Sequence, residues 1–380
     1  MWGVNNLKII LFANTDWFLY NFRLSLIKQL ANEGHQLLLV SADGDYSAKM
    51  SAEGFRHHAV KLSQRGINPI AELRSLIELI RLYQSEKPDL VHHFTIKPVL
   101  YGSVAAKLAC VPKITNSITG LGYVFISNEL KAKIIRFFVK WFYRQTLRKT
   151  AVIFENTDDR MLFIDLKLVS ADQSTFIPGS GVDTEVFAPS DEPPQPVTVL
   201  LPARLLYTKG ISEFVRAARI LKDKGVKARF ILAGDIYPGN PDYIPQAVVD
   251  GWVKEGLIEW WGWQSDMAKT YRSAHIVCLP SYREGLPKAL VEAAACGKPI
   301  VTTDVPGCRE IVQDGENGLL VQSKNVEELA AALEKLIGNP EMRKALGLMG
   351  RRLVENRFSL HHVNQATLQY YISKQPGSAE

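Results

Sequence analysis

Two glutamates, Glu284 and Glu292, lie eight residues apart in the segment 280–299, and their surroundings suit the binding of a phosphorylated sugar. Between them the sequence predicts the end of a buried strand, a tight turn at Gly285 and a helix start at Pro287. The first N–H groups of a helix have no intrahelical partner and attract anions, so the turn predicts a diphosphate site. A carboxylate on each side of that site could bind hydroxyl groups. This combination favours a nucleotide sugar as ligand.

The backbone N–H groups expected to face the diphosphate belong to Gly285, Leu286 and Lys288, together with Ala289. Glu284 lies at the mouth of this predicted site, and Glu292 lies more than one helical turn inside. The alternative interpretation is an ordinary βαβ unit with a solvated glutamate pair.

A second cluster of charge, Arg204 and Lys209, lies in a segment that follows one predicted strand and opens a helix. Two cations and the helix N–H groups could bind a diphosphate and stabilise the charge that develops as it leaves. The alternative is a surface arginine and lysine that merely flank a loop.

The whole run 280–301, with Pro-Ser, Glu-Gly, Glu-Ala, Cys-Gly and Pro-Ile-Val in that order, resembles the E-x7-E signature of family-4-type retaining glycosyltransferases. The resemblance covers nearly the whole chain. It implies the GT-B fold, in which two Rossmann-like α/β/α domains have parallel sheets that face an interdomain cleft. It also implies that Glu284 binds the donor sugar and Glu292 the ribose. Arg204 and Lys209 would hold the diphosphate in place of a metal ion.

The same resemblance assigns further residues to the donor. Gly181 lies in a segment similar to the Gly-Val-Asp hinge strip of the family, and Gly234 and Asp235 end a predicted strand on the same rim. Trp263 would lie near the base.

The first half of the chain is expected to hold the acceptor. Its candidate side chains are Asp16, Asn21 and Arg23 in the first loop and His93 at the end of a later strand. Thr119 stands where many family members have a histidine that contacts the transferred sugar. The segment around Thr119 is similar to that of bacterial enzymes that extend undecaprenyl-diphosphate-linked sugars. No further histidine or carboxylate lies at ligand spacing from His93, so no metal site is predicted.

The segment Lys131–Lys149 holds seven cations interleaved with isoleucine, phenylalanine and tryptophan, and the chain as a whole has a net charge of +6. A basic and aromatic helix can lie on an anionic membrane surface. The alternative is a helix packed within an α/β domain. Because the charge is local and no nucleic-acid module is recognisable, no nucleic-acid partner is expected.

Short apolar strands alternate with amphipathic helices in both halves, which predicts two parallel sheets covered by helices. Strands are predicted at 8–13, 36–40, 90–93, 113–118, 151–155, 175–177, 197–202, 228–233, 258–261, 275–279 and 300–303. Four prolines in the segment 189–196 predict a linker. The expected domains are 1–188 for the acceptor, 189–358 for the nucleotide sugar, and a helix in 359–380 that crosses back.

These features predict a retaining, metal-independent glycosyltransferase without a cofactor. It would move a hexose or N-acetylhexosamine from a UDP-sugar to a polyprenyl-diphosphate-linked saccharide in bacterial glycan assembly. Four scattered cysteines and the lack of a bilayer-spanning stretch predict a cytoplasmic protein attached peripherally to the inner membrane. The alternatives are an epimerase-like enzyme on the same fold and a non-catalytic nucleotide-sugar-binding subunit. A dinucleotide dehydrogenase is disfavoured because no Gly-x-Gly-x-x-Gly follows the first strand.

Overall fold

The computed structural model describes residues 6–61, 69–120 and 130–373, and for residues 69 and 130–138 it describes the backbone alone. The chain divides into two compact units. Unit 1 comprises Met1–Ser180 and Val363–Glu380, and unit 2 comprises Gly181–His362. Among the described residues, no helix combines the length and the apolar character needed to cross a membrane.

Unit 1 is built on a parallel sheet of seven strands in the order β3-β2-β1-β4-β5-β6-β7. The strands are β1 Lys8–Thr15, β2 Gln36–Ala42, β3 Arg56–Ala59, β4 Leu90–Phe94, β5 Lys113–Ile118, β6 Ala151–Phe154 and β7 Ser174–Phe176. Strand β4 is buried along its whole length, as expected of a parallel strand covered on both faces.

The helices of unit 1 cover both faces of this sheet. They are α1 Asp16–Phe18, a π-helical turn Leu19–Arg23, α2 Leu24–Asn32, α3 Asp45–Ala52, α4 Pro69–Glu86, a π-helical turn Pro98–Gly102, α5 Ser103–Leu108, α6 Leu130–Leu147 and α7 Thr157–Asp165. Asn156 begins α7 as its N-cap, because its side chain accepts the N–H of Asp159.

Unit 2 repeats the plan with six parallel strands in the order β10-β9-β8-β11-β12-β13. The strands are β8 Val197–Pro202, β9 Ala228–Ala233, β10 Glu259–Gly262, β11 Ile276–Leu279, β12 Ile300–Thr303 and β13 Gly318–Val321. The helices are a 3₁₀ turn Tyr207–Lys209, α8 Ile211–Asp223, α9 Gln246–Lys254, α10 Met267–Arg272, α11 Lys288–Ala295, α12 Val326–Ile337 and α13 Pro340–Arg357. The predicted fold class, two parallel α/β units, is confirmed.

The last helix, α14 Leu360–Ser373, begins in unit 2 and continues from Val363 within unit 1. Its aromatic side chains are fixed in unit 1 by hydrogen bonds. The Tyr370 hydroxyl donates to the carbonyl of Gln173 at 2.7 Å, and the Tyr371 hydroxyl lies 2.5 Å from Nδ1 of His92. The C-terminal segment therefore completes the core of unit 1.

The proline-rich segment 189–196 belongs to unit 2, whose first residue is Gly181. Arg343 on α13 fixes this segment, because its guanidinium donates to both carboxylate oxygens of Glu192 at 2.7 and 2.8 Å. The division between the two units therefore lies earlier in the chain than the expected boundary between residues 188 and 189.

Strand order decides where each unit can bind a ligand. From β8 the chain runs outward to β10 on one side and then returns to β11 on the other side, so neighbouring loops diverge between β8 and β11. Such a switch point leaves a crevice at the carboxyl ends of the strands, where open α/β sheets bind ligands. In unit 1 the same reversal lies between β1 and β4.

Candidate active site

The crevice of unit 2 brings together a cation and a carboxylate that are far apart in the sequence. Lys209, in the loop after β8, donates to Glu284, in the loop after β11, with Nζ 2.5 Å from Oε1. Ser281 donates to the same oxygen at 2.6 Å. The two charged side chains are 21% and 12% exposed, so they form a partly buried pair that a ligand can still reach.

Backbone contacts fix the two loops against each other. The N–H of Tyr282 donates to the carbonyl of Thr208 at 2.9 Å, and the N–H of Glu284 donates to the carbonyl of Pro306 at 3.2 Å. Tyr282 also donates through its hydroxyl to Glu213 on α8 at 2.8 Å. The Lys209–Glu284 pair therefore rests on three loops that follow β8, β11 and β12.

Two glycines make this close approach possible. Gly210 has φ +72°, and a Cβ there would lie 2.0 Å from the carbonyl oxygen of Pro280. Gly307 has φ +81°, and a Cβ there would lie 2.5 Å from the carbonyl oxygen of Gly285 and 2.8 Å from that of Glu284. Any other residue at either position would displace the turn that carries Glu284.

The helix predicted after this turn is α11. Pro287 is its N-cap with extended backbone and Lys288 is its first residue, so the helix begins one residue later than predicted. The carbonyl of Pro287 accepts the N–H groups of Leu290 and Val291. The N-terminus of α11 therefore lies directly after the turn that carries Glu284, and the positive end of the helix dipole there stabilises an anion.

Glu292 lies inside α11 and is almost completely buried. Tyr271 donates its hydroxyl to Oε2 at 3.1 Å, and Nζ of Lys288 lies 3.7 Å from Oε1. Burial raises the pKa of Glu292 above its ordinary value, and the Lys288 ammonium and the Tyr271 hydroxyl oppose that rise. The carboxyl group is thus held in a fixed orientation beside the N-terminal half of the helix.

Arg204 is exposed, and its guanidinium lies 5.4 Å from the centre of the Tyr237 ring. Among the described residues it has no carboxylate partner, in contrast to Lys209. The structure does not bring it into contact with the Lys209–Glu284 pair, so its role toward a diphosphate stays a prediction.

The other predicted donor residues lie on the loops after β9 and β10. Gly234 donates to the carbonyl of Gly262 at 2.8 Å, and its own carbonyl accepts the indole N–H of Trp260 at 2.9 Å. Asp235 is exposed, and Trp263 is 63% exposed. Gly181, the first residue of unit 2, packs against Leu360, and its contact with the donor stays a prediction.

In unit 1, Asp16 has a definite structural role. Its carboxylate accepts the backbone N–H groups of Trp17, Tyr46 and Ser47 at 2.7 to 2.9 Å, and the side chain is buried beside Gly44. Asp16 therefore holds the N-terminus of α3 against the loop after β1. Its predicted contact with an acceptor stays a prediction.

Arg23 is also buried. Its guanidinium donates to Glu155 and to the carbonyl of Gly179, both at 2.9 Å, and lies 4.6 Å from the centre of the Phe94 ring. Burial raises the pKa of Glu155, and the facing Arg23 opposes this. The ion pair fixes the loop after β1 to the end of β6. Asn21, nearby on the π-helical turn, donates to the carbonyl of Trp17 at 2.9 Å.

His93 lies in the core of unit 1 and not at its surface. Its Nδ1 is 2.9 Å from Oδ1 of Asn116 and its Nε2 is 3.2 Å from the hydroxyl of Tyr83. Burial lowers the pKa of His93 to about 4, so the ring is neutral at physiological pH. Its predicted contact with an acceptor therefore has no support here. Thr119 is half-buried after β5, and the segment 121–129 that follows lies outside the described residues.

The basic and aromatic segment forms α6, as expected of a helix. The side chains of Lys131, Lys133 and Arg136 lie outside the described residues. Farther along, Trp141 is 59% exposed and Arg144 is exposed, whereas Tyr143 is buried. The described part of α6 thus presents both an inward-facing apolar side and an outward-facing tryptophan and cations.

Two residues of the unit 2 site were missed by reasoning from the sequence. Tyr271 is separated from Glu292 by a strand and a turn, and no local pattern connects them. Ser281 belongs to the Pro-Ser element before Glu284, and that position was the one available signal. Among the described residues no group of three or more His, Cys, Asp or Glu side chains is arranged to hold a metal ion.

Family comparisons match both units. Residues 182–353 match the model described as glycosyl transferases group 1, and residues 8–156 match the model described as glycosyl transferase 4-like. The first match contains the Lys209–Glu284 pair and α11, and the second contains the sheet of unit 1 from β1 to β6.

Similar proteins of known name include two bacterial transferases. The N,N'-diacetylbacillosaminyl-diphospho-undecaprenol alpha-1,3-N-acetylgalactosaminyltransferase of Campylobacter jejuni is 27% identical over 86% of this chain and 88% of its own length. The UDP-Gal:alpha-D-GlcNAc-diphosphoundecaprenol alpha-1,3-galactosyltransferase of Escherichia coli is 25% identical over 87% of each chain.

Solved structures agree on the fold. HepE of Anabaena in complex with UDP superposes with a TM-score of 0.79 at 18% identity, over 97% of this chain and 100% of that one. The sucrose-phosphate synthase of Thermosynechococcus elongatus gives 0.79 at 20% identity, over 96% and 98%. The chain is therefore a glycosyltransferase with the GT-B fold, composed of a glycosyl transferase 4-like domain and a group 1 glycosyl transferase domain.

Proposed function

We propose that this glycosyltransferase moves a hexose or N-acetylhexosamine from a UDP-sugar to a polyprenyl-diphosphate-linked saccharide, with retention of anomeric configuration and without a metal ion. The names of the Campylobacter jejuni and Escherichia coli relatives, both of which act on diphospho-undecaprenol-linked sugars, support this acceptor. Both relatives match over most of the chain.

The observation that carries the proposal is the Lys209–Glu284 pair beside the N-terminus of α11. A nucleotide diphosphate placed there meets an ammonium group and the positive end of the α11 dipole, which stabilise the negative charge on the leaving phosphate. Glu284 and Ser281 then face the hydroxyl groups of the sugar, and Glu292 lies on the side of the ribose. Arg204, which is exposed on the same rim, supplies a second cation.

The reaction follows from this arrangement. The bond between the anomeric carbon and the β-phosphate oxygen breaks, and UDP keeps the electron pair. The acceptor hydroxyl attacks the same face of the sugar and forms the new glycosidic bond, while its proton passes to the leaving phosphate oxygen. Holding both substrates in one orientation supplies much of the rate.

In this proposal the positive charge that stabilises the leaving UDP comes from protein side chains, so a metal ion is not required. We expect EDTA to leave the activity unchanged. Loss of activity on EDTA treatment that Mg²⁺ then restores would contradict the metal-independent mechanism.

The primary test measures UDP release from a panel of UDP-sugars with and without a lipid-linked monosaccharide or disaccharide. Release from one donor that depends on the acceptor supports a transferase acting on lipid-linked saccharides. Release without any acceptor dependence would contradict the proposed acceptor, and it would favour an epimerase-like or hydrolytic reaction.

The role of Glu284 is tested by Glu284→Gln. The amide keeps the size and the hydrogen bond from Ser281 but loses the ion pair with Lys209, so we expect turnover to fall much more than UDP affinity. Glu341→Gln, in the exposed first turn of α13, is the matched control and should behave as wild type. Near-normal turnover in Glu284→Gln would contradict a sugar-orienting role.

We also propose that α6 contacts the anionic cytoplasmic face of the membrane, where such an acceptor resides. Trp141 and the cations near it support this contact. Replacing Lys133, Arg136 and Lys140 with glutamate should release the protein from vesicles that contain phosphatidylglycerol. Unchanged binding of this variant would contradict a membrane contact by α6.

A further inference from the structure

Helix α4 of unit 1 has an outer face that does not resemble an ordinary solvated helix. Leu73 is 57% exposed and Ile77 is 40% exposed, and Ile70, at the head of the same face, is 65% exposed. Residues spaced by three or four lie on one side of a helix, so these aliphatic side chains form one ridge. A surface helix normally has polar side chains on this side.

The charged side chains on this ridge are basic. Arg74 and Arg81 are exposed and share the helical face of Leu73 and Ile77. Because Arg74 follows Leu73 directly and Arg81 lies one turn beyond Ile77, cations and aliphatic groups alternate along the face.

Two of the three acidic residues of α4 are each held by cations of unit 1, and the third lies beside a histidine. Glu72 is buried and accepts from Lys97 at 2.6 Å. Glu78 lies 3.5 Å from Nε2 of His58, and Glu86 accepts from Lys8 and Arg56 at 2.6 and 2.8 Å. Lys97 neutralises Glu72, and Lys8 and Arg56 neutralise Glu86, so the ridge has the two cations Arg74 and Arg81 against the single partly exposed carboxylate of Glu78.

A groove of about 630 Å³ runs beside the ridge. Its lining includes Arg74, Ile77, Glu78 and Arg81 from α4 and His58 from β3. Guanidinium groups bind phosphate with two parallel hydrogen bonds. The two arginines outnumber the one carboxylate of the lining, Glu78, so the groove with its aliphatic wall suits a phosphate that carries an acyl chain.

We propose that the outer face of α4 is a membrane-docking surface that binds an anionic phospholipid bilayer. Leu73 and Ile77 enter the boundary of the acyl region, and Arg74 and Arg81 bind the phosphates of the head groups. This surface lies on the β3–α4 edge of unit 1 and uses none of the residues of α6. The inference rests on the proposed function in one respect, since a lipid-linked acceptor brings the enzyme to a membrane.

The experiment is co-sedimentation of the full chain with phosphatidylcholine vesicles that contain or lack phosphatidylglycerol, without donor or acceptor. The variants are Leu73→Ser with Ile77→Ser, and Arg74→Glu with Arg81→Glu. The control is Leu348→Ser with Met349→Ser, which alters two exposed apolar side chains of α13 in unit 2 (52% and 44% exposed).

We expect wild type and the control to bind vesicles containing phosphatidylglycerol equally. Reversing the two arginine charges should weaken binding by about tenfold or more, and removing the two aliphatic groups should weaken it by about tenfold. Binding through the arginines should also fall as salt is raised. UDP binding and the thermal unfolding midpoint are measured on each variant. Wild-type values show that unit 2 and the fold are unaltered.

Wild-type vesicle binding by both variants would overturn the proposal, and so would equal loss in the unit 2 control. If the variants change the sedimentation of the free protein while vesicle binding is unchanged, the face is an interface between protein chains and the proposal is wrong. Because vesicle binding is measured without turnover, it can succeed or fail independently of the proposed reaction.

Discussion

Replacing Gly307 by alanine tests whether the turn that carries Glu284 depends on its neighbouring loop. The backbone at Gly307 has φ +81°, which costs a residue with a Cβ about 1–2 kcal/mol. The new Cβ would also lie 2.5 Å from the carbonyl oxygen of Gly285. Real contacts of this kind are essentially never shorter than 3.0 Å, so the turn must move by at least about 0.5 Å.

Gly315→Ala is the matched control. Gly315 lies in the same unit with a similar φ of +74°, and a Cβ there would meet no atom within 4 Å. Both variants therefore carry the backbone strain, and each should lower the unfolding midpoint by about 2–8 °C, given about 2–4 °C per kcal/mol for a domain of this size. Only Gly307→Ala should also displace Glu284.

The assay is acceptor-dependent UDP release, with the thermal unfolding midpoint measured in parallel. A displacement of about 1 Å at a reacting group can cost about 100-fold in rate, so we expect Gly307→Ala to turn over at least about tenfold more slowly than Gly315→Ala. Equal turnover by the two variants would refute the argument that the loop after β12 positions Glu284.

Two further predictions concern charged groups of unit 2. Burial raises the pKa of Glu292, so the stability that its protonated form provides is present at low pH and is lost as pH rises through this raised value. The unfolding midpoint of Glu292→Gln minus that of wild type should therefore be larger at pH 8 than at pH 5. The variant should also bind UDP more weakly. A difference in midpoint that does not change with pH would contradict this reasoning. Arg343→Met should destabilise the protein by about 2 kcal/mol, because Arg343 is 1% exposed and its loss leaves two carbonyls of α12 without their donor. Arg219→Met, which breaks the exposed pair with Glu255, should cost less than about 1 kcal/mol in the same denaturant titration, and equal losses would refute the distinction.

Local pattern was sufficient for most of the architecture. Continuous apolar runs such as 197–202 and 228–233 predict parallel strands that are buried on both faces, and the structure has strands at those positions. Strand β3, Arg56-His-His-Ala, was missed because its four residues show no apolar alternation and it lies at the edge of the sheet. Strand β13 was missed as well, because it is a run of four residues after a glycine-rich turn.

The sequence by itself determined that Glu284 precedes a tight turn and a helix start, since glycine and proline fix that geometry within a few residues. It also determined that Arg204 and Lys209 follow a strand. Only the tertiary structure decided which distant groups meet. Lys209 reaches Glu284 across 75 residues, Arg23 reaches Glu155 across 132, and His93 faces inward to Asn116. These contacts depend on strand order and on which face of each strand is covered, and periodicity along one chain specifies neither.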